Sequence, residues 1–162
     1  GTLELRANYA KKIQLETGLT AQQSKYDSPV SYLEGVAPIR SFLRTPNEYG
    51  FANLNITASK PWTINLNYVY TGNMRIAHVG GADNFPDDQM VRTGAFSELN
   101  SKVAYAFNLP KYKNIIELYA GVKNIFNAYQ TDFDTGKNRD SNYIYGPNMP
   151  RTYFVGVKIK TP

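Results

Sequence analysis

Residues 62–71 read WTINLNYVYT, in which large apolar side chains alternate with polar ones. One face of an extended chain would carry Trp62, Ile64, Leu66, Tyr68 and Tyr70, and the other Thr63, Asn65, Asn67 and Thr71, with Val69 as the one apolar interruption. A period of two is typical of β-strand, because successive side chains point to opposite faces of the sheet. The stretch therefore predicts a long strand with one apolar face and one polar face.

The same alternation recurs along the chain and predicts about seven strands. They cover residues 3–9, 13–24, 48–59, 62–71, 96–109, 115–125 and 151–160. The alternation assigns Leu66, Tyr68, Val103, Leu118, Val155 and Val157 to one side of the sheet, and Asn65, Asn67, Lys102, Glu117 and Lys158 to the other. The predicted fold class is all-β, an antiparallel up-and-down meander of about seven long strands in which each strand pairs with the next.

The connections between these strands alternate in length. Short ones cover residues 10–12, 60–61 and 110–114, whereas long ones cover 26–47, 72–95 and 126–150. Outer-membrane barrels have this order, with short turns at the periplasmic end and long loops outside. The polar face carries Glu, Arg, Lys and Asn, which suit a wet lumen better than a dry core. The pattern predicts a segment of a transmembrane β-barrel, although a soluble meander with one wet face would alternate in the same way.

Composition excludes several other classes of protein. The chain has 162 residues, no Cys and one His, which excludes thiol chemistry, Cys-based zinc sites and any two-His metal motif. No apolar run approaches the roughly 20 residues that a spanning helix needs. The net charge is +5, but Lys and Arg are scattered, so we expect no nucleic-acid partner. No catalytic constellation is visible, and we expect neither an enzyme nor a cofactor.

Two motifs near the end of the chain resemble a known family. Residues 118–129, LYAGVKNIFNAY, resemble the penultimate strand of TonB-dependent receptors, and residues 146–158, GPNMPRTYFVGVK, resemble their closing segment. Residues 43–47, LRTPN, followed by the stretch 62–74 also look like these receptors, in a form similar to those of Bacteroidetes-type bacteria. The chain ends Lys160-Thr161-Pro162, whereas members of the family commonly end on an aromatic residue.

The resemblance implies that residues 1–162 are the C-terminal segment of the barrel, without the plug domain and the N-terminal strands. The whole would be a barrel of about 22 strands with a plugged lumen. It would import a nutrient (an iron chelate, cobalamin or a glycan) across the outer membrane of a Gram-negative bacterium. The implied partners are outer-membrane lipid, the receptor's own plug and N-terminal barrel, the TonB–ExbB–ExbD energy complex and a surface lipoprotein.

Candidate site residues fall in the long connections. In receptors of this kind, loops and the upper barrel wall hold the ligand, which points to Asn73, His78, Tyr143 and Tyr145 as substrate contacts; His78 has no partner that the sequence identifies. Asp83, Asp87 and Asp88 are calcium candidates, since carboxylate oxygens bind Ca²⁺, but a solvated acidic loop explains them as well. We therefore predict no metal site.

Two other functions stay open at this stage. The chain would also fit a small self-contained outer-membrane barrel, such as an adhesin or a pore, or a soluble β-rich binding module. A complete bacterial barrel has an even number of strands, whereas the predicted number here is odd. We therefore predict that residues 3–9 and 151–160 do not pair with each other within the chain.

Overall fold

The computed structural model describes residues 1–59, 61–112, 114–147 and 149–161. Four residues of the sequence predictions lie outside the described residues: Lys60 and Lys113 in predicted short turns, Asn148 in the closing motif and Pro162 at the predicted end. The strands are β1 (Thr2–Tyr9), β2 (Ile13–Ala21), β3 (Lys25–Val30), β4 (Ile39–Ser41), β5 (Glu48–Ser59), β6 (Trp62–Thr71), β7 (Arg75–His78), β8 (Gln89–Arg92), β9 (Phe96–Leu109), β10 (Asn114–Lys123) and β11 (Thr152–Lys160), with one 3₁₀-helix at Pro110–Tyr112.

Seven of these strands form one antiparallel sheet in the order β1-β2-β5-β6-β9-β10-β11. The order confirms the predicted meander, because each long strand pairs with the next long strand along the chain. No helix in the described part of the chain is long and apolar enough to cross a membrane.

Two of the long connections contain hairpins that the sequence analysis treated as loop. β3 pairs with β4, and β7 pairs with β8, each pair forming a separate two-stranded sheet. These strands have three to six residues, too few for a period of two to stand out. β10 also ends earlier than predicted, at Lys123 instead of residue 125, because Asn124 has a φ of 49° and leaves the extended conformation.

A tight turn joins β1 to β2. Ala10 and Lys11 have φ values of 49° and 55°, and Lys12 N–H donates to Tyr9 O over 2.9 Å. Two successive positive φ values are the mark of a type I′ turn, whose twist matches that of the flanking strands. The local chain therefore accepts two non-glycine residues in the left-handed region to make the tight hairpin.

The strand register confirms the predicted faces. Residues directly opposite in a ladder share a face, and Val103 lies opposite both Ile64 and Ala120, while Leu118 lies opposite Val157. On the other face, Lys102 lies opposite Asn65, and Glu117 lies opposite Lys158. All eleven residues assigned by alternation are therefore on their predicted sides.

The apolar face of the sheet is open. Val155 is 84% exposed, Leu3 76% and Tyr153 72%. The polar face, in contrast, is connected by side-chain bonds between strands: Asn55 accepts from Asn65, Asn53 from Asn67, and Asn67 from Asn100, over 2.6 to 3.0 Å. The sheet therefore satisfies its polar side chains and leaves its apolar ones uncovered.

Both edges of the sheet are unpaired within the described residues. β1 and β11 lie at opposite ends of the strand order, and no ladder joins them. This confirms the prediction that residues 3–9 and 151–160 do not pair in the chain. The sheet is thus open, and the described residues form no closed barrel.

Candidate functional site

The fully buried side chains lie outside the strands of the sheet. The largest of them are Ile76, His78, Asn124, Gln130 and Tyr143. His78 and Ile76 alternate with Arg75 and Ala77 along β7, so that one side of this short strand is buried while Arg75 is exposed. The connection that contains β7 and β8 packs on the connection from β10 to β11, and we call this packed region the loop core.

His78 is the centre of the loop core. Its Nε2 lies 2.9 Å from Asp134 Oδ1 and 3.0 Å from Oδ2, where the hydrogen bond forms, and the two side chains are 0% and 3% exposed. Tyr143 stacks on the imidazole ring at 3.8 Å with an angle of 13°, and Phe85 meets it edge-on at 4.6 Å. The histidine is thus held between two aromatic rings and a carboxylate.

Asp134 stays ionised in this buried position. Burial raises the pKa of its carboxyl group, but hydrogen bonds from His78 and from Asp140 N–H outweigh burial and hold the pKa below its usual range. The Nδ1 atom of His78 is buried and has no hydrogen-bond partner among the described residues. The imidazole ring is therefore held by the bond between Nε2 and Asp134 and by the stack with Tyr143.

A second carboxylate joins two tyrosines. Asp132 Oδ2 accepts from the Tyr143 hydroxyl, and Oδ1 accepts from the Tyr145 hydroxyl, each over 2.6 Å. Burial and the bond to Asp132 raise the pKa of Tyr145 to about 12, and the same causes raise the pKa of Tyr143 further. Burial raises the pKa of Asp132, but the two hydroxyl bonds outweigh it and lower that pKa overall.

The sequence identified no partner for His78, and the structure corrects this: Asp134 is its partner, 56 residues away along the chain. A contact over that separation leaves no local pattern. Asp132 and Asp134 do stand two residues apart, as do Tyr143 and Tyr145. That spacing would have been the one available signal that each pair points to the same side of an extended segment.

The structure does not bring the calcium candidates together. Among the described residues, no group of three or more His, Asp or Glu side chains is placed to hold a metal ion. Asp88 Oδ1 accepts Gly80 N–H over 2.7 Å, and the Asp83 carboxylate lies against the backbone of Gly136, which has a φ of 87°. Asp88 therefore fixes loop backbone and Asp83 lies against it, and the absence of a calcium site at Asp83, Asp87 and Asp88 stays a prediction.

Asn73 lies at a different place, beside a cavity of about 210 Å³ that we call the basic cavity. The basic cavity opens between the β3–β4 hairpin and the β7–β8 hairpin. Its cationic lining residues are Lys25, Arg75 and Arg92, and its neutral ones include Ser24, Ser41 and Asn73. None of the described residues that line it is Asp or Glu. The sequence analysis missed these three cations, because they are 50 and 17 residues apart and meet only through the two hairpins.

Arg44 ties three connections together. Its backbone N–H donates to Arg75 O over 2.8 Å, which joins the β3–β4 connection to β7. Its guanidinium donates to Ile144 O over 2.9 Å and also to Asn142 O, both in the connection from β10 to β11. The basic cavity and the loop core are therefore neighbouring parts of one assembly.

The two motifs behind the family resemblance bind to each other. Asn127 Oδ1 accepts Arg151 N–H over 2.9 Å, and Arg151 Nε donates to Ile125 O over 3.0 Å. Asn124 Nδ2 donates to Met149 O over 2.8 Å, and both Asn124 and Asn127 have a positive φ. Asparagine tolerates the left-handed region better than most residues, which explains its use at both positions.

The four predicted substrate contacts thus fall in two places. His78, Tyr143 and Tyr145 belong to the loop core, where His78 and Tyr143 are buried. Asn73 lines the basic cavity and accepts a hydrogen bond from Arg92 Nε over 3.0 Å. Contact between these four residues and a ligand stays a prediction. The polar groups that remain exposed are those of the basic cavity beside Asn73.

Comparisons of the chain with family models, with curated proteins and with solved structures found no match. The resemblance to TonB-dependent receptors therefore rests on the sequence motifs described above.

Proposed function

We propose that this chain is the C-terminal part of the barrel of a TonB-dependent outer-membrane receptor, which imports a nutrient such as an iron chelate, cobalamin or a glycan. The observation that carries the proposal is the open sheet, in which a bonded polar face backs an uncovered apolar face. Hydrocarbon lipid is the solvent that such an apolar face requires, and a wet lumen is what the polar face requires.

The positions of the connections support the proposal. Successive connections of an antiparallel meander lie alternately at the two ends of its strands. The short turns therefore lie at one end of the sheet and the long connections at the other. All three long connections meet through Arg44 at that second end. A compact assembly of loops at one end of a barrel is where a receptor of this class would take up its ligand.

The open edges favour a segment over a self-contained barrel. Unpaired N–H and C=O groups cost several kcal/mol each in hydrocarbon, on the order of the cost of an unsatisfied polar group, so β1 and β11 need further strands beside them in a membrane. The preceding strands of the receptor would supply this pairing and close the barrel. A soluble binding module would instead have to cover the apolar face with another layer.

Cysteine labelling tests the membrane assignment, because the chain has no Cys of its own. Val157→Cys and Lys158→Cys are adjacent on β11 and point to opposite faces. In isolated outer membranes we expect Val157→Cys to react with a lipid-soluble maleimide and resist a water-soluble one. Lys158→Cys should show the reverse preference. Equal reaction of both variants with the water-soluble reagent would refute a lipid-facing side.

Growth tests the transport assignment. A strain that lacks the protein is compared with a strain that lacks TonB under iron, cobalamin or glycan limitation. We expect one limitation to slow both strains, and the full receptor to restore growth in the first strain only. Normal growth of the strain that lacks the protein under all three limitations would contradict import of these nutrients.

A further inference from the structure

The β7–β8 hairpin contains an unfavourable charge pair. Arg75 and Arg92 lie directly opposite each other in the ladder, and both line the basic cavity. Like charges at directly opposed positions destabilise a strand pair. Such a local conflict is expected at functional or strained positions.

No carboxylate in the described part of the chain provides that compensation. Lys25 brings a third positive charge to the basic cavity, and none of the three cations forms an ion pair within the described residues. The carboxylates nearest to these cations along the chain are Asp27, two residues from Lys25, and Asp88, four residues from Arg92, and neither lines the cavity. The basic cavity therefore carries three formal charges without a counterion from the described residues.

The remaining lining residues suit a small anionic group. Hydroxyl and amide side chains of Ser24, Ser41 and Asn73 are available as further hydrogen-bond donors, whereas the Thr45 hydroxyl donates to Leu43 O. Asn73 also holds the Arg92 guanidinium by its Nε, which leaves the other guanidinium nitrogens for a ligand. A volume of about 210 Å³ is below the roughly 300 Å³ at which pockets for drug-sized ligands begin, and fits one charged group rather than a whole ligand.

We propose that the basic cavity binds an oxyanion, a phosphate or carboxylate group, through Arg75, Arg92 and Lys25. Arginine pairs with both groups by two parallel N–H···O bonds, and such charge-assisted bonds are the strong ones. As a site for part of the imported ligand, the proposal rests on the proposed function and narrows the cargo to anionic molecules. Oxyanion binding itself depends only on the β3–β4 and β7–β8 hairpins that form the cavity.

Two sources would present this chemistry at the loop end of a receptor: a free small molecule, and the phosphates of lipopolysaccharide. The purified receptor in lipopolysaccharide-free detergent is therefore titrated calorimetrically with inorganic phosphate, with citrate and with lipid A micelles, at constant chloride concentration. We expect saturable binding of phosphate or citrate. A response to lipid A alone would keep the oxyanion site and assign it to a lipid headgroup, and no response to any of the three would overturn it.

Variants locate the site. Arg75→Gln combined with Arg92→Gln should weaken binding at least about tenfold, the loss expected for one or more hydrogen bonds to a charged group. Arg40→Gln combined with Arg139→Gln is the control matched in charge, because both arginines are exposed and neither lines the cavity. Equal loss in the control would mean a response to net charge alone, and would overturn the site.

Hydrogen exchange separates this result from misfolding. Removing an opposed like-charge pair should leave the amides of β7 as protected as before, or more so. Weaker binding together with lost protection at β7 would mean a structural effect, and would contradict the site.

The binding experiment needs neither a membrane nor transport, so its result is independent of the proposed function. A protein that binds oxyanions but is located outside the outer membrane would refute the proposed function alone. A receptor in the outer membrane whose Arg75→Gln/Arg92→Gln variant binds oxyanions unchanged would refute this inference alone.

Discussion

The sheet and the loop core differ in how far they bury their own large side chains. In the sheet, residues such as Val155 and Leu3 stay mostly exposed, and order comes from continuous backbone ladders. In the loop core, strands are short or absent, yet Tyr143 and His78 are almost completely buried. The loop core therefore carries its own interior, whereas the apolar face of the sheet depends on what lies outside the chain.

The difference between the loop core and the sheet indicates where each region is expected to meet water. Asp132 accepts from two tyrosine hydroxyls, and Asp134 Oδ2 accepts from His78 and from Asp140 N–H, whereas Asp134 Oδ1 has no hydrogen-bond partner among the described residues. Buried polar groups that find most of their partners inside the protein are typical of a region that excludes water by itself. The apolar side of the sheet has no such provision, which agrees with the proposed lipid-facing position. Changes that damage one region should therefore leave the other nearly intact.

Tyr143→Ala should have the largest effect. Deleting a buried aromatic ring costs about 3–5 kcal/mol, here by removing the stack on His78 and the bond to Asp132. We expect limited proteolysis within residues 126–147 to become fast while the amides of β9 and β10 keep their protection. Tyr129→Ala, at a 45% exposed ring, is the control. Loss of protection throughout the sheet would contradict the independence of the two regions.

Leu118→Arg should have the next largest effect, and only in lipid. Leu118 is on the apolar face in the middle of β10, where arginine in a bilayer costs about 2–4 kcal/mol. Unfolding of the receptor from bilayers by denaturant measures the loss. Asn55→Arg places the same charge on the polar face, and we expect it to cost much less. Similar costs for both variants would argue against a lipid-facing side.

Tyr145→Phe should destabilise the loop core by about 1.5–3 kcal/mol, the range for a hydrogen bond to a charged group. The folded pKa is raised from 10.0 to about 12, so this contribution is complete below pH 10 and is lost as the pH rises through about 12. Tyrosinate absorbance and proteolysis, followed together, should show Tyr145 ionising as the loop core opens. Tyr129→Phe should leave unchanged the pH at which the loop core becomes susceptible to proteolysis, and ionisation of Tyr145 before opening would refute the assignment.

Glu117→Gln should have the smallest effect. Glu117 lies 2.9 Å from Lys160 Nζ and 3.7 Å from Lys102 Nζ on the polar face, where ion pairs with partly exposed lysines contribute about 0–1 kcal/mol. The free energy of unfolding should change within that range, with a smaller difference at high salt. A loss of several kcal/mol would mean that the polar face is dry, contrary to a wet lumen.

The sequence predicted the sheet well, because its information is local. Alternation over ten residues placed Leu66 and Asn67 on opposite faces, and the register of a meander follows once each strand pairs with the next. The two small hairpins were missed because β4 and β7 have three and four residues. A pattern of that length carries no clear period.

The candidate sites depend on contacts that the sequence does not encode locally. His78 was singled out, but its partner Asp134 comes from a connection beyond two further strands of the sheet. Tyr143 and Tyr145 were proposed as ligand contacts from their position in a long connection, whereas their hydroxyls bind Asp132 inside the protein. The cations of the basic cavity became visible only when the structure set Arg75 opposite Arg92.

The three short turns also indicate the order of the folding steps. β1 with β2, β5 with β6, and β9 with β10 are joined by a few residues each, so each pair can form as an isolated hairpin within about 1–10 μs. Joining these hairpins requires closure of the long connections, which slows the later steps. The contact between His78 and Asp134 spans two of those closures, because it links the connection before β9 to the one after β10. We therefore expect the burial of Tyr143 to follow the pairing of β6 with β9 and of β10 with β11, and to be a kinetic marker of those two steps.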